Sequence, residues 1–169
     1  MAKILVVVDM QNDFIDGALG TPEAVMIVPY VKESIEKFPG KVFFTRDTHF
    51  ENYPDTQEGR NLPVKHCIQG THGWQIRAEL DALRKTEPID KVTFGSSALP
   101  EILAREENLE SVTFMGLCTD ICVISNVMLT KAFFPEVPVF VDAKGCAGVT
   151  VQSHENALEA MKMCQVTIL

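Results

Sequence analysis

Three residues with reactive side chains follow the ends of apolar segments in this 169-residue chain. Asp9 follows the run Lys3 to Val8, Asp47 follows a second short apolar run, and Cys122 lies in the segment GLCTDICV. A polar residue after a strand is most often a turn former. A carboxylate and a thiol together have a further use, because the carboxylate can accept the thiol proton and activate the sulfur as a nucleophile.

Cys122 is placed just inside the start of a predicted helix that Thr119 or Asp120 would cap. Backbone N–H groups and the positive end of the helix dipole stabilise a thiolate there and lower the pKa of the thiol. A lone cysteine is more often a buried core residue, so its assignment as a nucleophile depends on its neighbours. An ammonium at Lys91 would hold both charges in place, although nothing in the composition places Lys91 beside Cys122.

A second group of candidate side chains occupies a long polar segment. In TRDTHF, Asp47 and His49 are two residues apart and point to the same side of an extended chain, and His66 follows in HCIQGT. One carboxylate and two imidazoles suit Zn²⁺, Fe²⁺ or Mn²⁺, and they leave coordination sites for water and for a ring nitrogen of a substrate. Histidines in a polar loop are otherwise surface residues. We therefore expect a divalent metal here, with zinc as the first choice.

Alternating strands and helices position these residues. The run Lys3 to Val8 has no polar alternation, as in a parallel strand covered on both faces, whereas residues 48–73 have no periodicity and are predicted to form a long ordered loop. Alternation of this kind predicts right-handed crossovers and one α/β domain over residues 1–169, with an open, mostly parallel sheet and helices on both faces. The predicted strands are Lys3–Val8, Val42–Phe44, Ile89–Phe94, Val112–Leu117, Val137–Val141 and Val166–Leu169. The predicted helices are Pro22–Phe38, Trp74–Leu83, Leu99–Glu107, Asp120–Phe133 and Val151–Met163.

Two consequences of this pattern can be tested. Ligands bind outside the carboxyl ends of the strands in an open parallel sheet, so we expect Asp9, Asp47 and the segment 116–122 to share one rim. Pro29 lies within the first long helix and predicts a kink or a later helix start.

Composition limits the classes of partner. The chain has 15 Lys plus Arg against 23 Asp plus Glu, and its net charge of −8 opposes nonspecific attraction to nucleic acid or anionic lipid. Five cysteines, an odd number, favour free thiols in a reducing compartment. No apolar run has the length of a bilayer span, and the first residues lack a signal-peptide core. We expect a cytoplasmic protein, a homo-oligomer, that binds a small molecule rather than nucleic acid or a membrane.

Three motifs resemble a known family. VVVDMQNDF, then Lys91 in KVTFGSSAL, then GLCTDICV are similar, in that order, to the signatures of the isochorismatase-like cysteine hydrolases, and of nicotinamidases above all. The resemblance implies a catalytic triad of Asp9, Lys91 and Cys122, which would hydrolyse a small amide in NAD salvage. It also implies a cis peptide bond between Leu117 and Cys118, and an oxyanion hole formed by the N–H groups of Cys118 and Cys122.

The same resemblance assigns the polar loop. In nicotinamidases an Asp-x-His pair and a downstream His bind a metal that holds the pyridine nitrogen, and this pattern falls here on Asp47, His49 and His66. A further ligand in the family is either His or Glu. Glu58 fits the Glu version by its spacing, whereas Asp55 lies nearer the position of the His version.

The substrate wall departs from the family pattern. The family often has an aromatic residue, Pro and one further residue before the metal His, whereas LPVKH has Leu62 and one extra residue, which leaves the phase of His66 open. Phe14, which closes the first motif, and Trp74 are aromatic candidates for the wall, although both types are common in cores. We assign Phe14, Gln11 and Leu62 to substrate binding.

Other chemistries fit the sequence less well. Aspartyl-phosphate phosphatases need a second Asp two residues after the first, and Gln11 occupies that position. Gly17 and Gly20 fit neither a dinucleotide nor a P-loop fingerprint. Cleavage of isochorismate is disfavoured, because the family members that perform it lack the nucleophilic cysteine and the metal loop.

Two alternatives stay open. One is hydrolysis of a different small amide, such as a ureido or carbamoyl compound. The other is a non-enzymatic module for thiol redox chemistry or metal binding that uses His66, Cys67 and the pair Cys118 and Cys122. Catalytic release of ammonia would favour a hydrolase, whereas a reversible disulfide between the paired cysteines would favour the module.

Overall fold

A six-stranded sheet forms the centre of the protein. The structure, a computed structural model, describes residues 2–169. Every neighbouring pair of strands is parallel, in the order β3-β2-β1-β4-β5-β6. The strands are β1 (Ala2–Val8), β2 (Lys41–Asp47), β3 (Ile89–Lys91), β4 (Leu109–Leu117), β5 (Val139–Ala147) and β6 (Thr167–Ile168). The predicted α/β class with an open parallel sheet is confirmed.

The central strand is the most deeply buried part of the sheet. Residues 4–8 of β1 have no solvent-exposed surface, which explains why this strand is apolar on both faces. From β1 the chain passes through β2 to β3 in one direction and then crosses to β4 on the other side of β1. The strand order therefore reverses between β1 and β4, and this is where ligands bind in open α/β sheets.

Seven α-helices accompany the sheet in the described part of the chain. They are α1 (Asn12–Ile15), α2 (Pro22–Lys37), α3 (Gln57–Asn61), α4 (Ala78–Asp81), α5 (Ala98–Leu103), α6 (Ile124–Phe133) and α7 (Val151–Met163). Because crossovers between parallel strands are right-handed, the reversal of strand order puts α2 on one face of the sheet and α5 to α7 on the other. The helix contacts agree, since α5 packs on α6 and α6 on α7, whereas α2 contacts α4. Among residues 2–169, no helix is both long and apolar enough to cross a bilayer.

Helix α2 begins earlier than Pro29 suggests. The Thr21 hydroxyl accepts a hydrogen bond from the Ala24 N–H at 3.1 Å, and Pro22 occupies the first turn, where its missing N–H costs nothing. The helix then continues through Pro29, so the predicted later start is wrong. Val25, an apolar residue near the start of the helix, is 47% exposed and does not face the core. The buried residues are Ala24, Ile27, Val28, Val31 and Ile35.

Elements near the β3 edge of the sheet differ most from the prediction. The helix predicted from Trp74 is shortened to α4, because Ile76 pairs with Gln11 in an antiparallel bridge. Strand β3 lies at the sheet edge and ends at Lys91, short of the predicted end at Phe94. In addition, β2 and β5 are longer than predicted and α5 is shorter.

The polar segment 48–73 contains two short helical elements. A 3₁₀ turn at Tyr53–Asp55 precedes α3. The hydroxyl of Thr56 accepts a hydrogen bond from the Gly59 N–H at 2.9 Å and caps α3. The segment returns to the sheet edge through a parallel bridge between His49 and Ile68. It is therefore a folded loop, as predicted, with some helical structure that the sequence pattern did not indicate.

Candidate active site

Four candidate residues lie at the carboxyl ends of the four adjoining strands. Asp9 follows β1, Asp47 is the last residue of β2, and Lys91 is the last residue of β3 and pairs with Asp47 in register. Cys122 lies in a π-helical turn, Thr119–Val123, that follows β4. Because these strands are parallel neighbours, their ends meet at one rim of the sheet. The structure places the residues together there, as the strand pattern predicts for Asp9, Asp47 and the segment 116–122 and as only the family resemblance implies for Lys91.

Lys91 joins the acid and the thiol. Its ammonium nitrogen Nζ lies 2.7 Å from Asp9 Oδ2 and 3.5 Å from Cys122 Sγ. The same nitrogen contacts Asp47 Oδ1 at 3.2 Å and donates to the Thr93 carbonyl at 3.1 Å. Burial opposes the charged form, but the surrounding anionic groups, Asp9 first, hold the pKa of Lys91 above its usual value. Lys91 is therefore a cation in contact with both partners.

Asp9 is held in place by β2. It is fully buried, and its Oδ1 accepts a hydrogen bond of 2.7 Å from the Thr45 hydroxyl. Its φ of 47° is in the left-handed region, which Asp tolerates better than most residues. Burial raises the pKa of Asp9 above its usual value, and the charge of Lys91 opposes that rise. A carboxylate with a raised pKa is a stronger base, so Asp9 is suited to accept a proton.

The thiol of Cys122 is protonated at rest. Burial raises its pKa well above the usual value, the negative charge of Asp9 raises it further, and Lys91 opposes both effects. The predicted lowering of this pKa is therefore wrong. A helix start favours a thiolate, but full burial beside a carboxylate outweighs that effect. A nucleophilic role for this thiol would need a base in contact with it, and the carboxylate of Asp9 lies beside it.

Thr119 and Asp120, the two predicted capping residues, do not cap the turn. The hydroxyl of Thr119 forms a 2.7 Å hydrogen bond with His154 Nδ1, and the carboxylate of Asp120 accepts one from the Val149 N–H at 3.2 Å. No side chain caps the turn itself. Both side chains are used instead to join the turn that carries Cys122 to the start of α7.

The backbone before the turn has two unusual conformations. The peptide bond between Leu117 and Cys118 is cis, as the resemblance implies. Gly116 has a φ of 122°, and a Cβ there would lie 2.1 Å from the carbonyl oxygen of Val8, so only glycine fits between β4 and β1. Cys118 lies beside the cavity described below, and burial raises the pKa of its thiol to about 12.

A buried cluster of possible metal ligands adjoins the triad. The ligand atoms of Asp47, His49 and His66 all lie within 4.8 Å of one another. His49 Nε2 is 2.9 Å from Asp47 Oδ2, and Glu58 Oε1 is 3.5 Å from the Nε2 atoms of both histidines. Ligand atoms that bind one ion at about 2.1 Å lie about 3.0 to 3.4 Å apart at octahedral or tetrahedral angles. The cluster therefore fits a divalent ion.

The charges of the cluster also fit a cation. The carboxylates of Asp47 and Glu58 outweigh the effect of burial and raise the pKa of His49 to about 9. Burial raises the pKa of Glu58, but the two imidazoles prevail and lower it to about 2. In this state the proton on His49 balances part of the carboxylate charge, and a divalent ion would replace it.

The orientation of the imidazoles is fixed by the loop. His66 Nδ1 lies 2.8 Å from the Val64 carbonyl, which leaves Nε2 facing the cluster. Such bonds orient metal-binding histidines. The ring of Tyr53 packs edge-on against His49 and His66 at centroid distances of 4.7 and 5.1 Å. Asp55, the alternative ligand, is exposed to solvent, so Glu58 is the fourth carboxylate or imidazole group at this cluster.

Gln11 and Asn12 fasten the polar loop to the end of β1. The Gln11 amide donates to the carbonyls of Asp47 and Trp74, both at 2.8 Å, and accepts from the Asp47 N–H at 2.7 Å. Asn12 donates to the His72 carbonyl at 2.9 Å. Gln11 is fully buried, and its amide is occupied by backbone. The sequence predicts a role in substrate binding for Gln11, but in the structure this residue lies behind the cavity and positions Asp47.

Asp13 has a similar function. Its Oδ2 accepts a hydrogen bond of 2.7 Å from the N–H of Cys67, the residue after His66, and its Oδ1 accepts one of 3.3 Å from the Ala18 N–H. A Cβ on Gly73 would lie 2.1 Å from the Asp13 carboxylate, so the loop passes close to it. The sequence analysis did not identify this function, although Asp13 is part of the first motif.

One cavity of about 230 Å³ connects the triad to the cluster. Cys118 and Cys122 line it together with Asp47, Glu58 and His66. Its apolar wall contains Phe14 and Leu62, as predicted, and also Leu19, Phe94 and Ile121.

Of the two aromatic residues predicted for the wall, Phe14 lines the cavity and Trp74 does not. Trp74 is not among the residues that line the cavity: its indole N–H donates to Thr48 at 2.9 Å, and the Arg46 guanidinium stacks on its ring at 3.6 Å. Phe94 takes part in the wall because β3 ends early and lets the chain turn towards the cavity. The sequence pattern did not predict that Phe94 lines the cavity, because it assigned this residue to the strand Ile89–Phe94.

The comparisons with known proteins agree with this geometry. A model of the isochorismatase domain matches residues 3–169. A nicotinamidase of Escherichia coli is 28% identical, with 95% of this chain and 90% of that protein covered. An isochorismatase family protein of Bacillus subtilis is 29% identical, with coverage of 94% and 93%. The crystal structure of a pyrazinamidase of Pyrococcus horikoshii in complex with zinc has a TM-score of 0.84 and 29% identity, and covers 100% of this chain and 99% of its own.

Fold and site together define a hydrolase of the α/β fold class, with a cysteine, a lysine and an aspartate gathered at the switch point of a parallel sheet. The chain belongs to the isochorismatase family. The predicted family and the predicted enzyme class are confirmed, and the non-enzymatic module is set aside.

Proposed function

We propose that this chain is a metal-assisted cysteine amidohydrolase that converts nicotinamide and water into nicotinate and ammonia. One observation carries the proposal: a single cavity is lined by Cys122, which contacts Lys91, and by Asp47, Glu58 and His66 of the ligand cluster. The volume of about 230 Å³ suits an amide with one ring. The printed names of the relatives, nicotinamidase and pyrazinamidase, support the same substrate class.

The first half of the reaction forms a thioester. Asp9 takes the proton of the Cys122 thiol, and the sulfur attacks the amide carbon to give a tetrahedral oxyanion. Protonated Asp9 then delivers that proton to the amide nitrogen, the C–N bond breaks, and ammonia leaves. The raised pKa of Asp9 suits both directions of this transfer.

The second half consumes water. Asp9, ionised again, takes a proton from a water molecule that attacks the thioester carbon. The C–S bond breaks, and the proton held by Asp9 returns to the sulfur of Cys122. Nicotinic acid is released, the resting thiol is restored, and the acid ionises to nicotinate in solution by giving its proton to ammonia.

Lys91 and the backbone stabilise the charges that form. Lys91 Nζ contacts Asp9 at 2.7 Å and Cys122 at 3.5 Å, so it stays close to the negative charge as that charge moves between carboxylate and sulfur. The N–H groups of Cys118 and Cys122 form the oxyanion hole, and each such donor contributes about 3 kcal/mol.

Asp47, His49 and His66 would hold a divalent ion, with Glu58 as the further ligand. Two imidazoles and carboxylates suit zinc first, with iron or manganese as alternatives. When bound, the ion supplies a Lewis acid for the pyridine nitrogen of the substrate. Phe14 and Leu62 pack on the ring from the apolar wall.

An uncharged substrate suits the charges of the cavity lining. Two carboxylates, those of Asp47 and Glu58, line the cavity, no Lys or Arg is among the described residues that do, and a divalent ion held by the two carboxylates would cancel their charges. Isochorismate is disfavoured because the family members that cleave it lack the nucleophilic cysteine and the metal loop. The remaining alternative is a neutral ureido or carbamoyl amide, which the same triad would cleave.

A panel of amides tests the proposal. The purified protein is given nicotinamide, benzamide and a neutral carbamoyl compound, and ammonia and acid products are measured, with metal analysis of the same sample. We expect equal amounts of nicotinate and ammonia, and kcat/KM for nicotinamide at least about tenfold above that for benzamide, which lacks the ring nitrogen. Turnover of the carbamoyl compound without turnover of nicotinamide would overturn the assignment.

We also propose that the protein is cytoplasmic and forms a homo-oligomer. All five cysteines are free thiols, which is typical of a reducing compartment such as the cytoplasm. Light scattering on the purified protein tests the proposed homo-oligomer, and a monomer at micromolar concentration would contradict it.

A further inference from the structure

The turn that carries Cys122 is joined to the first turn of α7. Thr119 is fully buried, and its Oγ1 lies 2.7 Å from Nδ1 of His154. Asp120, the next residue, accepts a hydrogen bond from the Val149 N–H just before α7. Neither contact belongs to the triad, the ligand cluster or the cavity wall. Two adjacent residues of the turn that carries Cys122 are thus both held by the chain at the start of α7.

The opposite end of the turn is held by α6. Asn126 donates from Nδ2 to the carbonyl of Cys122 at 2.8 Å, and the Ser125 hydroxyl donates to the Ile121 carbonyl at 2.6 Å. These bonds fix the sulfur-bearing end of the turn. The beginning of the turn, at Thr119, is fixed by the side chain of His154.

The position of His154 is itself well defined. It lies in the first turn of α7, which Thr150 and Ser153 start through reciprocal side-chain to backbone hydrogen bonds. The loop before the helix passes so close that a Cβ on Gly148 would lie 2.8 Å from the Cβ of His154. Burial lowers the pKa of His154 below its usual value, so the neutral ring has one nitrogen free to accept a hydrogen bond at neutral pH.

We propose that His154 is a positioning residue for the reaction. Its Nδ1 accepts the hydrogen bond of the Thr119 hydroxyl and thereby fixes the turn that presents the Cys122 thiol and the N–H groups of Cys118 and Cys122. It acts through Thr119 and touches neither substrate nor metal. The inference rests on the proposed function for its turnover measurement, but not for its thiol measurement.

Two substitutions of His154 test this function. His154→Leu removes the acceptor, and we expect kcat for nicotinamide to fall about 10- to 100-fold with KM within about twofold, because small displacements of reacting groups have effects of this size. His154→Asn carries an oxygen close to the position of Nδ1, and we expect it to recover most of kcat. Thr119→Val removes the donor with little change of shape, and combining it with His154→Leu is expected to add little further loss.

The reactivity of Cys122 gives a second measurement that needs no substrate. The rate of its alkylation by iodoacetamide, followed by peptide mass spectrometry, is expected to fall at least about fivefold in His154→Leu and to recover in His154→Asn. Cys164, which is exposed, is the internal reference. If wild-type protein does not turn over nicotinamide, the proposed function fails and the alkylation rates still decide the function of His154.

A matched variant separates positioning from stability. Ala157→Gly weakens α7 beyond its first turn and leaves the contact between Thr119 and His154 in place. We expect it to lower Tm without changing kcat or the alkylation rate of Cys122. The proposal is overturned if His154→Leu keeps both wild-type rates, or if Ala157→Gly lowers them as much as His154→Leu does.

Discussion

The triad and the ligand cluster share a cavity, but they are positioned in different ways. Asp9 and Lys91 adjoin the ends of β1 and β3, so the hydrogen bonds of a parallel sheet set their places. His49, Glu58 and His66 lie in the polar segment 48–73, which the side chains of the first motif hold in place. A strand end moves only if the sheet does, whereas a loop moves when one hydrogen bond is lost.

Asp47 connects the two regions. It is the last residue of β2, and its two carboxylate oxygens contact different partners: Oδ1 lies 3.2 Å from Lys91 Nζ and Oδ2 lies 2.9 Å from His49 Nε2. In the proposed function the triad would therefore perform the chemistry on a rigid support, and the cluster would bind the metal and the substrate ring on a more mobile one. Substitutions in the triad region should affect turnover and folding, and those in the cluster region should affect metal and KM.

The largest effect is expected at the thiol. Cys122→Ala removes the nucleophile, and we expect kcat for nicotinamide to fall by at least about 10³-fold, with metal content unchanged because the cluster lies on other elements. Ammonia release and metal analysis of the same sample measure both. Turnover within tenfold of the wild type would remove Cys122 from the nucleophile function.

The next largest effect concerns folding. Lys91→Met leaves the buried carboxylates of Asp9 and Asp47 without their shared cation, and we expect the free energy of unfolding in urea to fall by about 3 to 5 kcal/mol. Lys85→Met, at an exposed position, is the control and is expected to change it by less than about 0.5 kcal/mol. Equal effects of the two substitutions would mean that the buried ion pairs do not stabilise the fold.

Loss of a cluster ligand should affect binding more than chemistry. His49→Ala is expected to weaken metal binding by more than about 100-fold and to raise KM far more for nicotinamide than for benzamide. Metal titration and the two KM values provide the measurement. A similar rise of KM for both amides would indicate that the metal stabilises the loop and does not contact the ring.

The smallest effect is expected behind the cluster. Both carboxylate oxygens of Asp13 accept hydrogen bonds, from the N–H groups of Cys67 and Ala18, and Asp13→Asn replaces one of these oxygens with an NH2 group that cannot accept. We expect metal affinity to fall about tenfold, because the loop at His66 is then less firmly held. Asp55→Asn, at an exposed acid of the same loop, is the control and should leave the affinity unchanged. Chelator competition measures both, and a loss in Asp55→Asn as large as in Asp13→Asn would contradict the structure.

The buried parts of the fold could be predicted from the sequence, and the edges could not. Residues 4–8 are apolar without alternation, and this pattern is enough to identify a central parallel strand. At the sheet edge the pattern is weaker, because β3 has only one neighbour and Phe94 is free to leave the sheet. The end of β3 and the start of α4 depend on tertiary contacts, such as the bridge between Gln11 and Ile76.

Motifs identified the reactive groups but not their supports. Asp9, Lys91 and Cys122 are in contact, as the resemblance implies. The hydrogen bond from Thr45 to Asp9 depends on the pairing of β1 with β2, and no motif indicates it. The pKa of the Cys122 thiol was predicted in the wrong direction, because a sequence indicates the helix start but not the burial of the sulfur beside a carboxylate.

The full burial of residues 4–8 has a consequence for the order of events when the protein opens. Amide protons in residues 4–8 are expected to exchange with deuterium only when the whole molecule unfolds, whereas those of the polar loop exchange through local openings. Asp9 is attached directly to this slowest-exchanging segment. The acid–base group is therefore expected to keep its place through fluctuations that release the loop, so that a protein whose loop has opened needs only to close it again to regain its reactive arrangement.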